Sequence, residues 1–157
     1  VLDGGLKKWK LENRPLSNKK VNFIETNYKA SVNDNLVINL DQVEKNIVKK
    51  EFCLVDARGE KRFKGLVEEP RKNLRKGNVK GSKNLPFSKI INPEDNTFKK
   101  KEDLENIFLN HDIKLNEKLA FSCGSGITAC VLGLASTVIS NKLPVIYDGS
   151  WAEYGLK

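Results

Sequence analysis

Leu119-Ala120-Phe121-Ser122-Cys123-Gly124-Ser125-Gly126-Ile127-Thr128-Ala129-Cys130 is the stretch that decides how this chain is built. A short apolar run, Leu119 to Phe121, ends in Ser122-Cys123, and Gly124, Ser125 and Gly126 follow at once. Apolar residues then recur with helical spacing at Ala129, Val131, Leu132, Leu134, Ala135, Val138 and Ile139. The segment therefore reads as strand, tight loop and helix. Backbone N–H groups of such a loop point inward, and the following helix adds its positive end. Both favour a thiolate at Cys123, which is the nucleophilic form of cysteine.

The same alternation extends outward on both sides. Phe52-Cys53-Leu54-Val55-Asp56-Ala57 is a continuous apolar run closing on Asp, the pattern of a buried parallel strand. Ahead of it, residues 41–48 read as a helix with Leu40, Val43, Ile47 and Val48 on one face and Asn39 or Asp41 as its cap. Asn84-Leu85-Pro86-Phe87 allows only a short edge strand, because Pro86 has no N–H to give a ladder. Residues 101–109 form a helical pattern with Leu104, Ile107 and Phe108 apolar, and residues 144–148 a last strand. The expected fold is α/β, an open and mostly parallel sheet flanked by helices. Ligands bind outside the carboxyl ends of strands in such sheets, and Cys123 falls at one of these ends.

The two ends of the chain resemble each other. Val1-Leu2-Asp3-Gly4-Gly5-Leu6-Lys7-Lys8-Trp9 lines up with Ile146-Tyr147-Asp148-Gly149-Ser150-Trp151-Ala152-Glu153-Tyr154. This repeat predicts that residues 1–12 close a preceding domain absent from the chain, and that residues 34–157 are a second domain. Residues 13–33 are polar and read as a linker between the two, with one short strand near Val21–Ile24. The chain contains no Met, even at position 1, which fits a piece of a longer protein.

Composition narrows the classes. At 157 residues, with 39% hydrophobic and 31% charged residues, the chain suits one well-cored globular domain. No run approaches the roughly 20 apolar residues of a membrane span. No signal peptide is visible, so cytoplasmic location and no membrane partner are expected. Three cysteines, at 53, 123 and 130, are too few and too scattered for a zinc site and fit free thiols in a reducing compartment. Net charge of +8 is spread as Lys along the chain, and the densest basic segment, Arg71 to Lys80, lacks the aromatic residues that stack on bases. Nucleic acid is therefore not the expected partner; the same field would attract a small anion.

The cysteine loop excludes two chemistries and admits a third. A phosphate-binding P-loop needs a Lys after its glycines, and residues 124–129 hold none. A cysteine phosphatase needs an Arg about where Ala129 stands. Sulfur transfer needs only inward N–H groups to stabilise a thiolate and a persulfide, with no metal or cofactor. An inert buried cysteine is the structural alternative.

Cys123-Gly124-Ser125-Gly126-Ile127-Thr128-Ala129-Cys130 resembles the active-site loop of rhodanese-like sulfurtransferases, in particular their 3-mercaptopyruvate branch. Val55-Asp56-Ala57-Arg58, Arg62-Phe63-Lys64-Gly65, Glu69-Pro70-Arg71, Gly77 to Phe87 and Tyr147-Asp148-Gly149-Ser150-Trp151 are similar to that family's motifs, in order. The resemblance covers residue 36 to the end, and Val1–Trp9 is similar to the end of the family's non-catalytic first domain.

What the resemblance implies is a catalytic C-terminal domain in which Cys123 is the nucleophile. Gly124, Ser125, Gly126, Ile127 and Thr128 would surround its sulfur, and Arg62 and Arg71 would hold the substrate's carboxylate and carbonyl. The implied donor is 3-mercaptopyruvate, because Gly124-Ser125 brings none of the basic charge that accompanies thiosulfate specificity. A thiol or cyanide would accept the sulfur, and the absent first domain would be a partner. The alternatives are a thiosulfate sulfurtransferase or a non-catalytic binding module. Arg58 is expected to brace the strand end by ion pairing, and Asp56 and Asp148 to brace turns. Cys53 and Cys130 are expected in the core, Trp9 and Trp151 in packing, and His111 at the surface. Asn78 departs from the family, which commonly has His there.

Overall fold

The computed structural model describes residues 1–156. Five strands form one sheet: β1 (Val37–Ile38), β2 (Cys53–Asp56), β3 (Lys83–Asn84), β4 (Leu119–Ser122) and β5 (Val145–Tyr147). Their order is β1-β5-β4-β2-β3, with every neighbouring pair parallel. β4 is thus the central strand, and Cys123 leaves the carboxyl edge at its middle. β3 is a two-residue edge strand just before Pro86, as its missing N–H dictates.

Helices cover both faces. Among them, α1 (Gly5–Leu11) precedes the sheet; α2 (Leu40–Lys49), α3 (Glu60–Phe63), α4 (Lys101–Asn110), α5 (Ile127–Ser140) and α6 (Ser150–Tyr154) follow in order. Successive residues of a strand point to opposite faces. Val55 and Phe121 accordingly join Leu104, Phe108, Ala129 and Leu132 on the α4/α5 side. Leu54 and Ala120 join Val43, Tyr147, Trp151 and Tyr154 on the α2/α6 side. Burial on both faces explains why these strands read as unbroken apolar runs rather than as alternation. Each fully buried Leu or Phe contributes about 1.5–3 kcal/mol, against about 0–1 for an exposed ion pair such as Lys45–Asp41, so the two apolar layers hold the fold.

Local signals account for the helix limits. The Asn39 side chain accepts from the Gln42 N–H at 3.0 Å, and the Gln42 side chain accepts from the Asn39 N–H at 2.9 Å, a reciprocal cap that starts α2. Asn39, not Asp41, is the cap. α2 ends at Lys50 with a left-handed φ of 54°.

Several expectations need correction. Val48 lies 83% exposed, because α2 turns only Val43 fully inward and half-buries Leu40 and Ile47. No strand forms at residues 21–24: residues 14–33 contain neither helix nor strand, and Phe23 and Ile24 are exposed with no neighbouring strand to pair with. Cys53 is only half-buried, since it opens the strand next to an edge. Cys130 is exposed, on the side of α5 away from the inward-facing Ala129 and Leu132. His111 is half-buried and its Nδ1 lies 2.8 Å from the Asn84 carbonyl.

The repeat between the two ends has a partial backbone counterpart. Gly5 and Ser150 occupy equivalent positions, each opens a short helix, and each has positive φ, 57° and 50°. The apolar residues ahead of the turns differ: Ile146 and Tyr147 belong to β5, whereas Val1 and Leu2 are exposed and outside any strand.

Candidate active site

Cys123 sits at the carboxyl end of β4 and is 2% exposed. The loop curls around its sulfur. The Ser125 N–H donates to Sγ at 3.4 Å. Burial alone would push the thiol up, but the Thr128 hydroxyl and the N–H groups of Ser125, Ala129 and Thr128 outweigh it. The net result holds Cys123 below the ordinary cysteine value. All four donors come from the loop and the first turn of α5, and three are backbone N–H groups, the kind a helix start leaves orphaned.

Gly126 makes the curl possible. Its φ is +83°, and a Cβ there would lie 3.0 Å from Asp148 Oδ1 and 3.1 Å from the Asp148 carbonyl oxygen. Only glycine takes that backbone state at that proximity without strain.

Ser150 braces the loop from below. Its Oγ accepts from the N–H of Cys123 and of Gly126, both at 3.1 Å, and donates to the Tyr147 carbonyl at 2.8 Å. The amides of the loop are therefore divided: those of 123 and 126 go to Ser150, and those of 125, 128 and 129 remain for sulfur. α6 completes the brace, its Trp151 and Ala152 N–H groups donating to the carbonyls of Cys123 and Gly124, both at 2.9 Å.

A chain of charge runs from the sheet to the rim. The Arg58 side chain is fully buried; its Nη2 pairs with Asp56 at 2.7 Å, its Nη1 with Glu69 at 2.9 Å, and its guanidinium lies 4.2 Å over the Trp151 ring. Glu69, its side chain 1% exposed, reaches outward with its other oxygen to Arg62 Nη2 at 2.5 Å. Arg62 Nη2 in turn stands 3.1 Å from where a Cβ of Gly124 would be. Arg71 arrives from the exposed side, its Nη1 donating to the Gly124 carbonyl at 3.3 Å.

The geometry thus gathers Cys123, Gly124, Ser125, Gly126 and Thr128 around one sulfur, with Arg62 and Arg71 at Gly124. Ile127 opens α5 with its side chain 73% exposed, so only its backbone belongs to the loop. Arg58 does pair with Asp56 as a strand-end brace. Asn78 donates to the Phe63 carbonyl at 2.9 Å, fastening the segment after α3 rather than meeting the sulfur. Two residues at the site carried no assigned role in the sequence, Glu69 and Ser150. Glu69 stands two positions before Arg71, and Ser150 follows an Asp-Gly turn, so each had a local cue without a stated partner. Among the described residues, no group of three His, Cys, Asp or Glu side chains is arranged to hold a metal ion.

Comparison with known proteins gives a consistent family. Residues 39–157 match the rhodanese-like domain. The 3-mercaptopyruvate sulfurtransferase of Homo sapiens is 31% identical over 157 residues, covering 100% of this chain and 52% of that protein. The thiosulfate sulfurtransferase of Rattus norvegicus is 34% identical over 155 residues, covering 98% and 52%. The structure of SseA from Escherichia coli, described as a 3-mercaptopyruvate sulfotransferase of the rhodanese fold, superposes with a TM-score of 0.80 at 28% identity, covering 96% of this chain and 55% of SseA. The chain spans about half the length of the curated relatives it matches.

Proposed function

We propose, from the premise that this chain belongs to the rhodanese-like domain family, that it is the catalytic C-terminal part of a sulfurtransferase whose nucleophile is Cys123. The observation that carries this is the set of donors converging on one buried sulfur while two guanidiniums stand at the neighbouring Gly124. Such an arrangement stabilises a thiolate, holds an anion beside it, and brings no general base of its own to the sulfur.

The preferred donor is 3-mercaptopyruvate. Arg62 and Arg71 present the forked donors that suit a carboxylate and its adjacent carbonyl. The Cys123 thiolate attacks the donor's sulfur and forms the S–S bond. The donor's C–S bond breaks, its electron pair passes to carbon, and the resulting enolate takes a proton to become pyruvate. A thiol or cyanide then attacks the outer sulfur and releases the Cys123 thiolate. The loop amides converge on the Cys123 sulfur in the thiolate, and the persulfide carries its charge one S–S bond further out, towards the guanidiniums at Gly124.

The neutral Gly124-Ser125 pair favours this monoanion over thiosulfate, a dianion. Relatives of both names match the chain, so thiosulfate is the second donor to test. In this reading residues 1–12 close a first rhodanese-like domain, residues 13–33 link it, and residues 34–157 are the catalytic domain. Relatives of about twice this length support that arrangement. The free cysteines suit a reducing compartment such as the cytoplasm, and no described helix is long and apolar enough to cross a membrane.

The test is intact-protein mass spectrometry before and after 3-mercaptopyruvate, on the wild type and on Cys123→Ser. Gain of one sulfur atom, removed by a thiol and absent in the variant, is the expected result. Gain from thiosulfate alone would transfer the proposal to that donor. No gain from either, in the full-length protein, would leave a binding module.

A further inference from the structure

Glu69 is the most deeply placed carboxylate near the site that the sulfur chemistry above does not use. Its side chain is 1% exposed, yet it bridges two guanidiniums. One oxygen takes Arg58 Nη1 at 2.9 Å and Arg62 Nε at 3.3 Å; the other takes Arg62 Nη2 at 2.5 Å. The inner guanidinium is held on several sides, because Arg58 also meets Asp56, the Gly77 carbonyl at 2.7 Å and the Trp151 face. Glu69 is therefore fixed from behind. A two-point grip on a planar guanidinium sets direction as well as distance.

The consequence falls on Arg62. Its Nε and Nη2 edge is spent on Glu69, which leaves Nη1 and the remaining Nη2 hydrogen facing the loop. The Arg62 side chain is 31% exposed, and its tip would otherwise sweep through solvent as a long, flexible cation does. Held as it is, Nη2 and Nη1 lie 3.1 and 3.7 Å from the space above Gly124. We propose that Glu69 is a positioning residue, which fixes the Arg62 guanidinium over the Gly124 end of the cysteine loop so that its free edge meets an incoming donor anion. This rests on the role given to Arg62 in the sulfurtransferase reading. Glu69 touches neither the sulfur nor the space above it; it acts through Arg62.

Positioning and simple charge make opposite predictions, which allows a clean test. Iodoacetate and iodoacetamide alkylate Cys123 through the same carbon and differ by one negative charge. The ratio of their rates therefore reads the cation above the loop and requires no turnover. In the native protein carrying this chain, Glu69→Gln should lower the iodoacetate-to-iodoacetamide ratio about tenfold, the weight of one charge-assisted hydrogen bond, although it removes a negative charge. In an Arg62→Ala background the same substitution should no longer lower it.

A ratio that is unchanged or raised in Glu69→Gln would make Glu69 a counter-ion only and overturn the proposal. An equal fall with and without Arg62 would overturn it too, because Glu69 would then act by another route. Should Glu69→Gln fail to fold, Glu69→Asp, one methylene shorter with the charge kept, replaces it with the same expected fall. Persulfide formation on Cys123 is measured in parallel on the wild type. Its absence while the ratio responds as expected would sink the sulfurtransferase reading and leave the positioning intact; the converse would sink the positioning alone.

Discussion

Arg62 Nη2 and residue 124 compete for the same space: a Cβ on Gly124 would lie 3.1 Å from that nitrogen. Gly124 is not in the left-handed region, so its backbone accepts a side chain and only the guanidinium must give way. Gly124→Ala is therefore expected to melt close to the wild type, while its KM for a carboxylate donor rises roughly three- to tenfold, up to one charge-assisted hydrogen bond. Steady-state kinetics beside thermal melting checks this; a lowered Tm with unchanged KM would contradict it.

Thr128 supplies the one side-chain hydroxyl on the Cys123 sulfur. A thiol held below its ordinary 9.0 reacts as thiolate at pH values where a free cysteine is mostly protonated. Alkylation of Cys123 should rise with pH through a midpoint below 9.0, and Thr128→Val should carry that midpoint upward and slow the reaction at neutral pH. Stopped-flow alkylation against pH reads both. A midpoint that stays in place would mean the backbone amides alone hold the thiolate.

Ser150 satisfies two buried amides while standing at φ +50°. Ser150→Ala leaves both donors unpaired and keeps the strained backbone, at a cost of about 1–3 kcal/mol. Ser150→Gly loses the same hydroxyl but relieves the backbone, so it should be the less destabilised by about 1 kcal/mol. Denaturant melts of the two variants give the order, and Ala melting above Gly would refute it.

Arg58 neutralises two buried carboxylates at once. Removing it by Arg58→Ala strands the buried Asp56, leaves Glu69 to Arg62 alone, and should cost about 3–5 kcal/mol. Lys45→Ala, which breaks an exposed pair on α2, should cost only about 0.3–0.5 kcal/mol. Equal melts for the two would show that the buried network is replaceable.

The central architecture was legible in the sequence because it rests on period and punctuation. β4 spans Leu119–Ser122, on the apolar run that pointed to it, and α5, Ile127–Ser140, carries the helical spacing read from Ala129 to Ile139. The apolar run at 52–57 became β2, bounded by the left-handed end of α2 at Lys50 on one side and the Arg58 brace on the other. Residues whose fate depends on side-chain direction were less readable. Val48 fits the apolar face of α2 on paper and points to solvent, and Cys130 sits one position past a buried alanine yet lies outside. The isolated apolar cluster Val21–Ile24 looked like a strand because a β-prone tetrapeptide cannot reveal that no partner strand is near. At the site, the sulfur and its loop announced themselves through Cys-Gly-x-Gly. The braces did not: Ser150 lies 27 residues from the amide that it holds, and no spacing rule links them.

That 27-residue separation has a consequence for how the protein is made. Translation delivers Cys123 first and Ser150, Trp151 and Ala152 afterwards, so a nascent chain carries the thiol before it carries the clamp. Until the clamp arrives, the amides of Cys123 and Gly126 lack the hydroxyl to which they donate in the folded chain. The loop around the reactive sulfur is thereby closed by the last segment of the sheet and the helix after it, so its final shape waits on residues 145–154.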